Sequence, residues 1–499
     1  MNTHVVPGSG RADARDEIRW RHTLLALAAL TAWLFALRCL GPSNLTDNDQ
    51  ERPAAYVIDA FRNGHWLVQR DWTGDIASKP PLYTWISAGL SWIAGGAHRW
   101  TLYLPCALAM FGSAALVADR LRKVAGSREA LLGGVLFLAC PLTAKLVCTA
   151  RTDALFTFFV TLTAASAHAA WSGVAISRNT GWIRTWFYAA LATLTKGPLG
   201  LVLGFAGLLA GIRTRRNKTS PPLIWDRRHF AGLAMLVLLA GGWFGGAWLQ
   251  AGNPLFQKLI IGELAGHALR TEGTVPGLGL AIVPGFLLSR FAPWSLAAFW
   301  ALWLTLRRRD SSSPRHSLER FAAAWLVTGI VTLGLAGHQR GDLVAPLMPA
   351  AAILAAGPVA GWLQDWNVRR LLSATLGVSF LLGAGLQVHH RLSRPSVFAE
   401  SRGAEHLAAA YLQTGRSPDR LAFVDTPYAL QFELGTMRRV LDFGQAAELL
   451  RNDPRSAVAI SNRKALMESL GTDSRRIRVI ASWPSGQAPQ SCIVQLDPP

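Results

Sequence analysis

Residues 24–50, LLALAALTAWLFALRCLGPSNLTDNDQ, run an apolar segment straight into an acidic loop, and residues 78–83, SKPPLY, close that loop. A bilayer core takes about 20 residues of helix, so Leu24–Leu40 with its flanks reads as a membrane span. Runs of the same kind recur at Phe230–Leu249, Phe321–Ala336 and Leu371–Leu386. Alternating strand patterns are nearly absent before residue 390. The chain has 499 residues with only 16% charged, too few for a soluble chain of this size. The reading is an all-α polytopic membrane protein.

Net charge is +20, which raises the question of nucleic acid. The basic residues answer it. Arg120, Arg122 and Lys123, then Arg213, Arg215, Arg216 and Lys218, then Arg307, Arg308 and Arg309 all sit in short loops between apolar runs. Cytoplasmic loops of membrane proteins carry that excess, so the expected partner is the lipid bilayer and not nucleic acid. Cys39, Cys106, Cys140, Cys148 and Cys492 are scattered without metal spacing, and they fix no redox compartment. The first 20 residues are polar and no cleavage site follows the first apolar run, which is therefore expected to be retained.

Charge also sets the expected topology. Arg11, Arg15, Arg19 and Arg21 place the N-terminus (1–21) in the cytoplasm. Spans are expected at 22–40, 101–118, 129–147, 154–171, 182–195, 199–212, 230–250, 280–305, 320–336, 343–361 and 370–387. That makes about eleven to thirteen crossings, allowing for partial ones. Residues 82–97 are read as partial or interfacial, and 251–277 as a long outer loop. The transmembrane domain is thus 22–390, with a first outer loop at 41–81. The tail, 391–499, reads as a small soluble α/β domain on the outer side. Short β-type runs stand at Leu421–Val424, Ala457–Ile460, Ile477–Ile480 and Ile493–Leu496, with helical patterns over Ala404–Thr414, Gly444–Leu450 and Asn462–Leu470.

On this topology the outer loops hold Asp47, Asp49, Lys79, Arg151, Asp153, Lys196, Glu263, His267, Arg270, His338, Arg340 and Asp342. Basic residues should be scarce there, and a polyanionic ligand is one reason for their presence. Between Asp49 and Lys79, Pro53 suits a first helical turn, and Ala54, Val57, Ile58 and Phe61 make one apolar stripe that Gly64 ends. Such a helix can lie flat in the membrane interface. Lys79 before Pro80-Pro81 is held extended and can bind a phosphate, or simply snorkel to the headgroups. Asp49 and Asp153 also suit plain helix N-termini, and Arg151 can simply pair with Asp153. Two acids and several cations on one face are nevertheless what nucleophile activation and phosphate departure require.

These residues resemble the lipid-linked sugar transferases of the GT-C fold, in the bacterial branch of aminoarabinose (lipid A) transferases related to protein O-mannosyltransferases. The resemblance runs over roughly the first 360 residues. It rests on Asp49-Gln50, Asn63-Gly64-His65-Trp66, Ser78-Lys79-Pro80-Pro81-Leu82-Tyr83, Arg151-Thr152-Asp153-Ala154-Leu155, Leu194-Thr195-Lys196-Gly197-Pro198, Pro293-Trp294 and Gln339-Arg340. It implies inverting transfer of a sugar from a polyprenyl (undecaprenyl) phosphate to a membrane-associated acceptor at the periplasmic face of the inner membrane. Lipid A or another envelope glycan, lipid or protein would be the acceptor.

Carried over, Asp49 is the general base and Asp153 the second acid, which binds a divalent metal in some members. Lys79, with Arg270 or Arg340, would bind the donor phosphate, and Arg151, Lys196, His267 and His338 would support it. Two family acids are replaced here, by Gln50 and Ser78, which leaves Asp153 alone among the matched ligands. The expectation is no required cofactor and at most weak dependence on a divalent cation, with Asp75 as a conceivable substitute ligand. Competing readings are a secondary transporter of an anionic lipid or metabolite, and an inactive paralogue acting as a scaffold. Acids at span ends and the lack of a visible repeat favour the enzyme.

Overall fold

The structure, a computed structural model, describes residues 9–40, 45, 48–172, 178–214, 227–266, 277–308, 313–393, 395–453, 455–483 and 491–497. Among them six helices are long and apolar enough to cross a membrane: Glu17–Leu40, Arg99–Ala125, Thr152–Ser172, Arg227–Ala251, Pro314–Leu335 and Gly341–Trp362. Shorter apolar helices at Leu199–Gly211, Gly279–Arg290, Ser295–Arg307 and Ser373–Gly385 overlap other expected spans.

In chain order, α1 (Ser9–Leu40) is followed by α2 (Asn48–Asn63), α3 (Leu82–Ile93) and α4 (Arg99–Ala125). Next come α5 (Ser127–Leu138), α6 (Pro141–Leu146), α7 (Thr152–Ser172) and α8 (Arg178–Lys196). One large apolar core joins α1, α4, α5, α7 and the helix Met348–Trp362. Close helix approach explains part of it. A Cβ on Gly133 would stand 2.2 Å from the Leu121 side chain, and one on Gly134 would stand 2.8 Å from Leu27. With glycine at both positions, the Leu121 and Leu27 side chains lie where a Cβ would otherwise stand, and a larger residue would force them to shift.

Three expectations about single elements are corrected. The span expected at 129–147 is broken: α5 stops at Leu138, and Pro141 opens the separate α6 at a position where its missing N–H costs nothing. The span expected at 280–305 is two helices, with Phe291 to Trp294 between them and Pro293 as the breaker. The outer loop expected at 251–277 is helical from Asn253 through Ala265. Residues 267–276 of that loop lie outside the described residues.

The helix α2 forms where its stripe predicts, and the stripe faces protein. Ala54, Val57 and Ile58 are fully buried. Its apolar face packs against α3 and a tail helix, which offer a closer-fitting apolar partner than lipid headgroups.

The tail follows its sequence pattern closely. Its sheet has the order β1-β2-β4-β3, with β1 (Leu421–Phe423) parallel to β2 (Ala457–Ile460). Strands β3 (Ile477–Trp483) and β4 (Ser491–Leu496) pair antiparallel, and β4 pairs antiparallel with β2. Side chains alternate between faces with period two. Leu421, Phe423, Ala457 and Ala459 join the large core, under the helix Pro395–Gln413. Val458 and Ile460 join a second cluster, under the helices Phe443–Asn452 and Arg463–Leu470.

A short helix the sequence did not signal, Tyr428–Glu433, fixes the tail to the first loop. The Tyr428 ring stacks on Trp72 at 4.6 Å, and the Val440 amide donates to the Trp72 carbonyl at 3.0 Å. Arg99 pairs with Glu405 at 3.2 Å and with Glu433 at 3.8 Å. Among the described residues the buried Tyr428 hydroxyl has no hydrogen-bond partner. Tyr428→Phe is therefore expected to unfold like wild type in detergent. Tyr428→Ala should cost about 3 kcal/mol and expose the tail to limited proteolysis.

Candidate active site

The first loop is built by two buried carboxylates that the sequence reading left without a role. Asp59 is fully buried and accepts from the Arg70 amide at 2.7 Å and from Asn63 Nδ2 at 2.8 Å. Asp71 accepts from the amides of Thr73 at 3.0 Å and Asp75 at 3.1 Å, closing a turn over Asp71-Trp72-Thr73-Gly74-Asp75. An acid two residues before a threonine and three before a glycine is a readable turn signal. This scaffold delivers Ser78-Lys79-Pro80-Pro81 to the start of α3. There the Tyr83 hydroxyl donates to the Leu102 carbonyl at 2.9 Å and ties α3 to α4.

At one end of the bundle the ends of several elements surround a cavity of about 310 Å³. Asp49 comes from the first turn of α2, and Arg151 and Asp153 from the start of α7. Lys196 ends α8, where Gly197 at φ +93° takes the left-handed conformation that turns the chain away. His338, Arg340 and Asp342 line the wall near the 3₁₀ turn Gly341–Leu347. Lys79, Tyr56 and Ser78 complete the first-loop side, and Glu263 comes from the helical turn Gln257–Ala265.

Arg151 is the centre of the charge network. Its Nη2 donates to Asp49 Oδ2 at 2.8 Å, its Nη1 donates to Asp342, and its Nε faces Asp153 Oδ2 at 3.6 Å. Lys196 donates to the other oxygen of Asp153. Lys145 Nζ, from α6, donates to Asp342 at 2.9 Å. Arg340 binds Asp49 with both Nη atoms, one at 3.3 Å. Lys79 donates to Glu263. Asp49, Asp153 and Asp342 thus each sit between two cations.

These contacts set the protonation states. Partial burial alone would raise the pKa of Asp49. The hydrogen bond from Arg340 and the charges of Arg151 and Arg340 outweigh it and hold the carboxyl below its ordinary value. Burial pushes the Lys79 ammonium the other way, below the ordinary lysine value. Glu263 opposes that shift and Lys196 adds to it. Burial, Arg340 and Lys79 together keep the His338 pKa low, which favours the neutral imidazole at pH 7.

Seven of the expected site residues line this one cavity: Asp49, Lys79, Arg151, Asp153, Lys196, His338 and Arg340. Arg270 and His267 lie outside the described residues. Glu263 and Asp342 were noted as outer-loop groups without a role, yet both line the cavity. Lys145 was read as part of a continuous span, and only the helix break at Pro141 brings it to Asp342. Gln50 does not line the cavity; its side-chain oxygen accepts from the Ala150 amide at 3.4 Å. Asp75 is away from the cavity and pairs with Lys258 at 3.1 Å.

Asp153, the acid expected to hold a divalent metal, is engaged by cations. Both oxygens of Asp153 face cations, and Ser78 offers a hydroxyl where an acid would be needed. Among the described residues no group of three or more His, Cys, Asp or Glu side chains converges to hold a metal.

Comparison with known proteins places this geometry. The chain superposes on the crystal structure of ArnT from Cupriavidus metallidurans bound to undecaprenyl phosphate with a TM-score of 0.74, 17% identity, and coverage of 95% of this chain and 97% of that one. For the apo state of the same protein the TM-score is 0.70, with 18% identity and 94% and 97% coverage. The mycobacterial arabinofuranosyltransferase AftD gives a TM-score of 0.54 at 14% identity, over 96% of this chain and 40% of that one. The chain has the GT-C glycosyltransferase fold. Residues 78–243 match the family of dolichyl-phosphate-mannose-protein mannosyltransferases, so the match takes in Lys79, Arg151, Asp153 and Lys196. An uncharacterized protein of Aquifex aeolicus (strain VF5) is 25% identical over 246 residues, or 48% of this chain. The alignment spans about half of that relative, 52% of its length.

Within this GT-C scaffold, Arg151 and Arg340 differ in what their loss does. Arg151 is buried, and removing it takes one of two cationic partners from each of three carboxylates. Arg151→Met should lower unfolding stability by about 3 kcal/mol. Arg340 is half exposed, and Arg340→Ala should change stability by less than about 1 kcal/mol. Thermal unfolding of both variants in the same detergent checks the contrast.

Proposed function

We propose that this chain is an inverting glycosyltransferase that takes a sugar from a polyprenyl phosphate and passes it to a membrane-associated acceptor. Undecaprenyl phosphate is the carrier class, and lipid A or another envelope glycan, lipid or protein is the acceptor class. The site faces the periplasm from the inner membrane, the N-terminus is cytoplasmic, and residues 391–499 form a soluble periplasmic domain. The observation that carries this reading is the shared cavity of Asp49, Lys79, Lys196 and Arg340. The ArnT structure with the similar fold is described as bound to undecaprenyl phosphate, which supports the choice of carrier.

A cavity of about 310 Å³ suits one sugar and a phosphoryl group, and leaves the prenyl chain in the membrane. In the proposed step the acceptor hydroxyl oxygen attacks the anomeric carbon from the face opposite the phosphate. The bond from that carbon to the phosphate oxygen breaks, and its electron pair leaves with the carrier phosphate. Lys79 and Arg340, with Lys196 nearby, stabilise the charge that grows on the leaving oxygen. Asp49 takes the hydroxyl proton. Its lowered pKa makes it a weak base, so it first accepts a hydrogen bond and receives the proton once the new bond acidifies the oxygen. Asp153 holds Lys196 and Arg151 in place and needs no metal to do so.

Asp49→Asn tests the base directly. With an undecaprenyl-phosphate-linked sugar, turnover should fall by about 10²-fold or more, with donor binding intact. Unchanged turnover would refute the assignment. The pH profile gives a second check. Lys79 binds phosphate only when protonated and Asp49 acts only when ionised, so kcat/KM should hold between an acid limb below 3.8 and an alkaline fall through a value below 10.5. Lys79→Arg should move that alkaline limb out of range. EDTA should leave turnover of the purified chain unchanged.

A further inference from the structure

The Lys79 ammonium is already occupied. Its partner, Glu263, comes from a segment 184 residues further along the chain. The resemblance drawn above puts an acid directly before the lysine, and this chain has Ser78 there. The counter-charge to Lys79 therefore comes from the other wall of the cavity.

Both partners are partly exposed, unlike the sealed Arg151–Asp153 pair. The segment that carries Glu263 is docked by other groups. Leu255 and Leu259 pack with Val68 and Ile76. Lys258 pairs with Asp75 at 3.1 Å. The Glu263 side chain can thus swing off Lys79 while its segment stays in place.

We propose that Glu263 is a placeholder anion: it holds Lys79 in the empty site, yields it to the carrier phosphate, and reclaims it when the reaction is over. This rests on the phosphate-binding role given to Lys79 above. The chemistry makes the competition directional. The sugar-linked donor is a phosphodiester with one negative charge. Transfer breaks the bond to the sugar and leaves a phosphomonoester, whose charge at pH 7 is about −1.5 to −2. A carboxylate beside Lys79 repels the product more strongly than the donor and so favours release of the spent carrier. Glu263 is in this sense a positioning residue and not a catalytic one.

The test uses the full chain in nanodiscs, titrated with undecaprenyl phosphate and followed by tryptophan fluorescence. Glu263→Gln should bind roughly tenfold more tightly than wild type, the size of one screened unit repulsion. Glu263→Ala should tighten binding likewise, and Glu263→Asp should stay near wild type. Under turnover, Glu263→Gln should show stronger product inhibition with a smaller change in donor KM. Equal or weaker binding by both neutral variants overturns the placeholder role. Binding by Lys79→Ala that matches wild type overturns instead the phosphate site itself, so the two failures are distinguishable.

Discussion

One guanidinium holds the site together. Arg151 meets carboxylates from three separate parts of the chain: Asp49 of the first loop, Asp153 at the start of a membrane helix, and Asp342 at the start of another. Buried charge is costly unless it is paired and hydrogen-bonded. Here each acid meets a second cation as well, from Arg340, Lys196 and Lys145. The outcome is an alternating lattice of charge in which no single pair carries the cost of burial. Four chain segments must arrive together for it to close, so the lattice fixes both the fold at this end and the cavity beside it.

The same lattice shapes the proposed chemistry. Asp49 keeps its charge because two arginines face it, and that constraint makes it an orienting acceptor before it is a base. Lys79 is less firmly tied, with a pKa that burial lowers and a partner on a different wall. A site that must bind and then release a phosphate needs such an unequal distribution. The tightly held charges define the pocket, and the loosely held one exchanges partners.

Much of this was legible in the sequence. The acidic opening, the apolar stripe of the first-loop helix, and the Lys-Pro-Pro close specify local geometry through spacing and proline stiffness alone. The strands of the tail are equally plain, because they are short apolar runs of β-type residues, with β2 and β4 buried on both faces. What the sequence did not disclose is tertiary. The stripe of Ala54, Val57 and Ile58 looks the same whether it faces lipid or protein, and it faces protein. The break at Pro141 interrupts a run whose hydropathy is continuous, and with it the role of Lys145 was hidden. Glu263 and Asp342 earn their places by contacts across more than 180 residues, which no local pattern records.

The central claim is that this cavity, organised by Arg151, receives the phosphate of a polyprenyl carrier at Lys79, across the sugar from Asp49. A cryo-EM map of the full chain in nanodiscs with undecaprenyl phosphate examines it most directly. The expected result is phosphate density against Lys79, with Asp49 still held by Arg151. Carrier phosphate bound elsewhere on the protein, with Lys79 still on Glu263, would contradict the account.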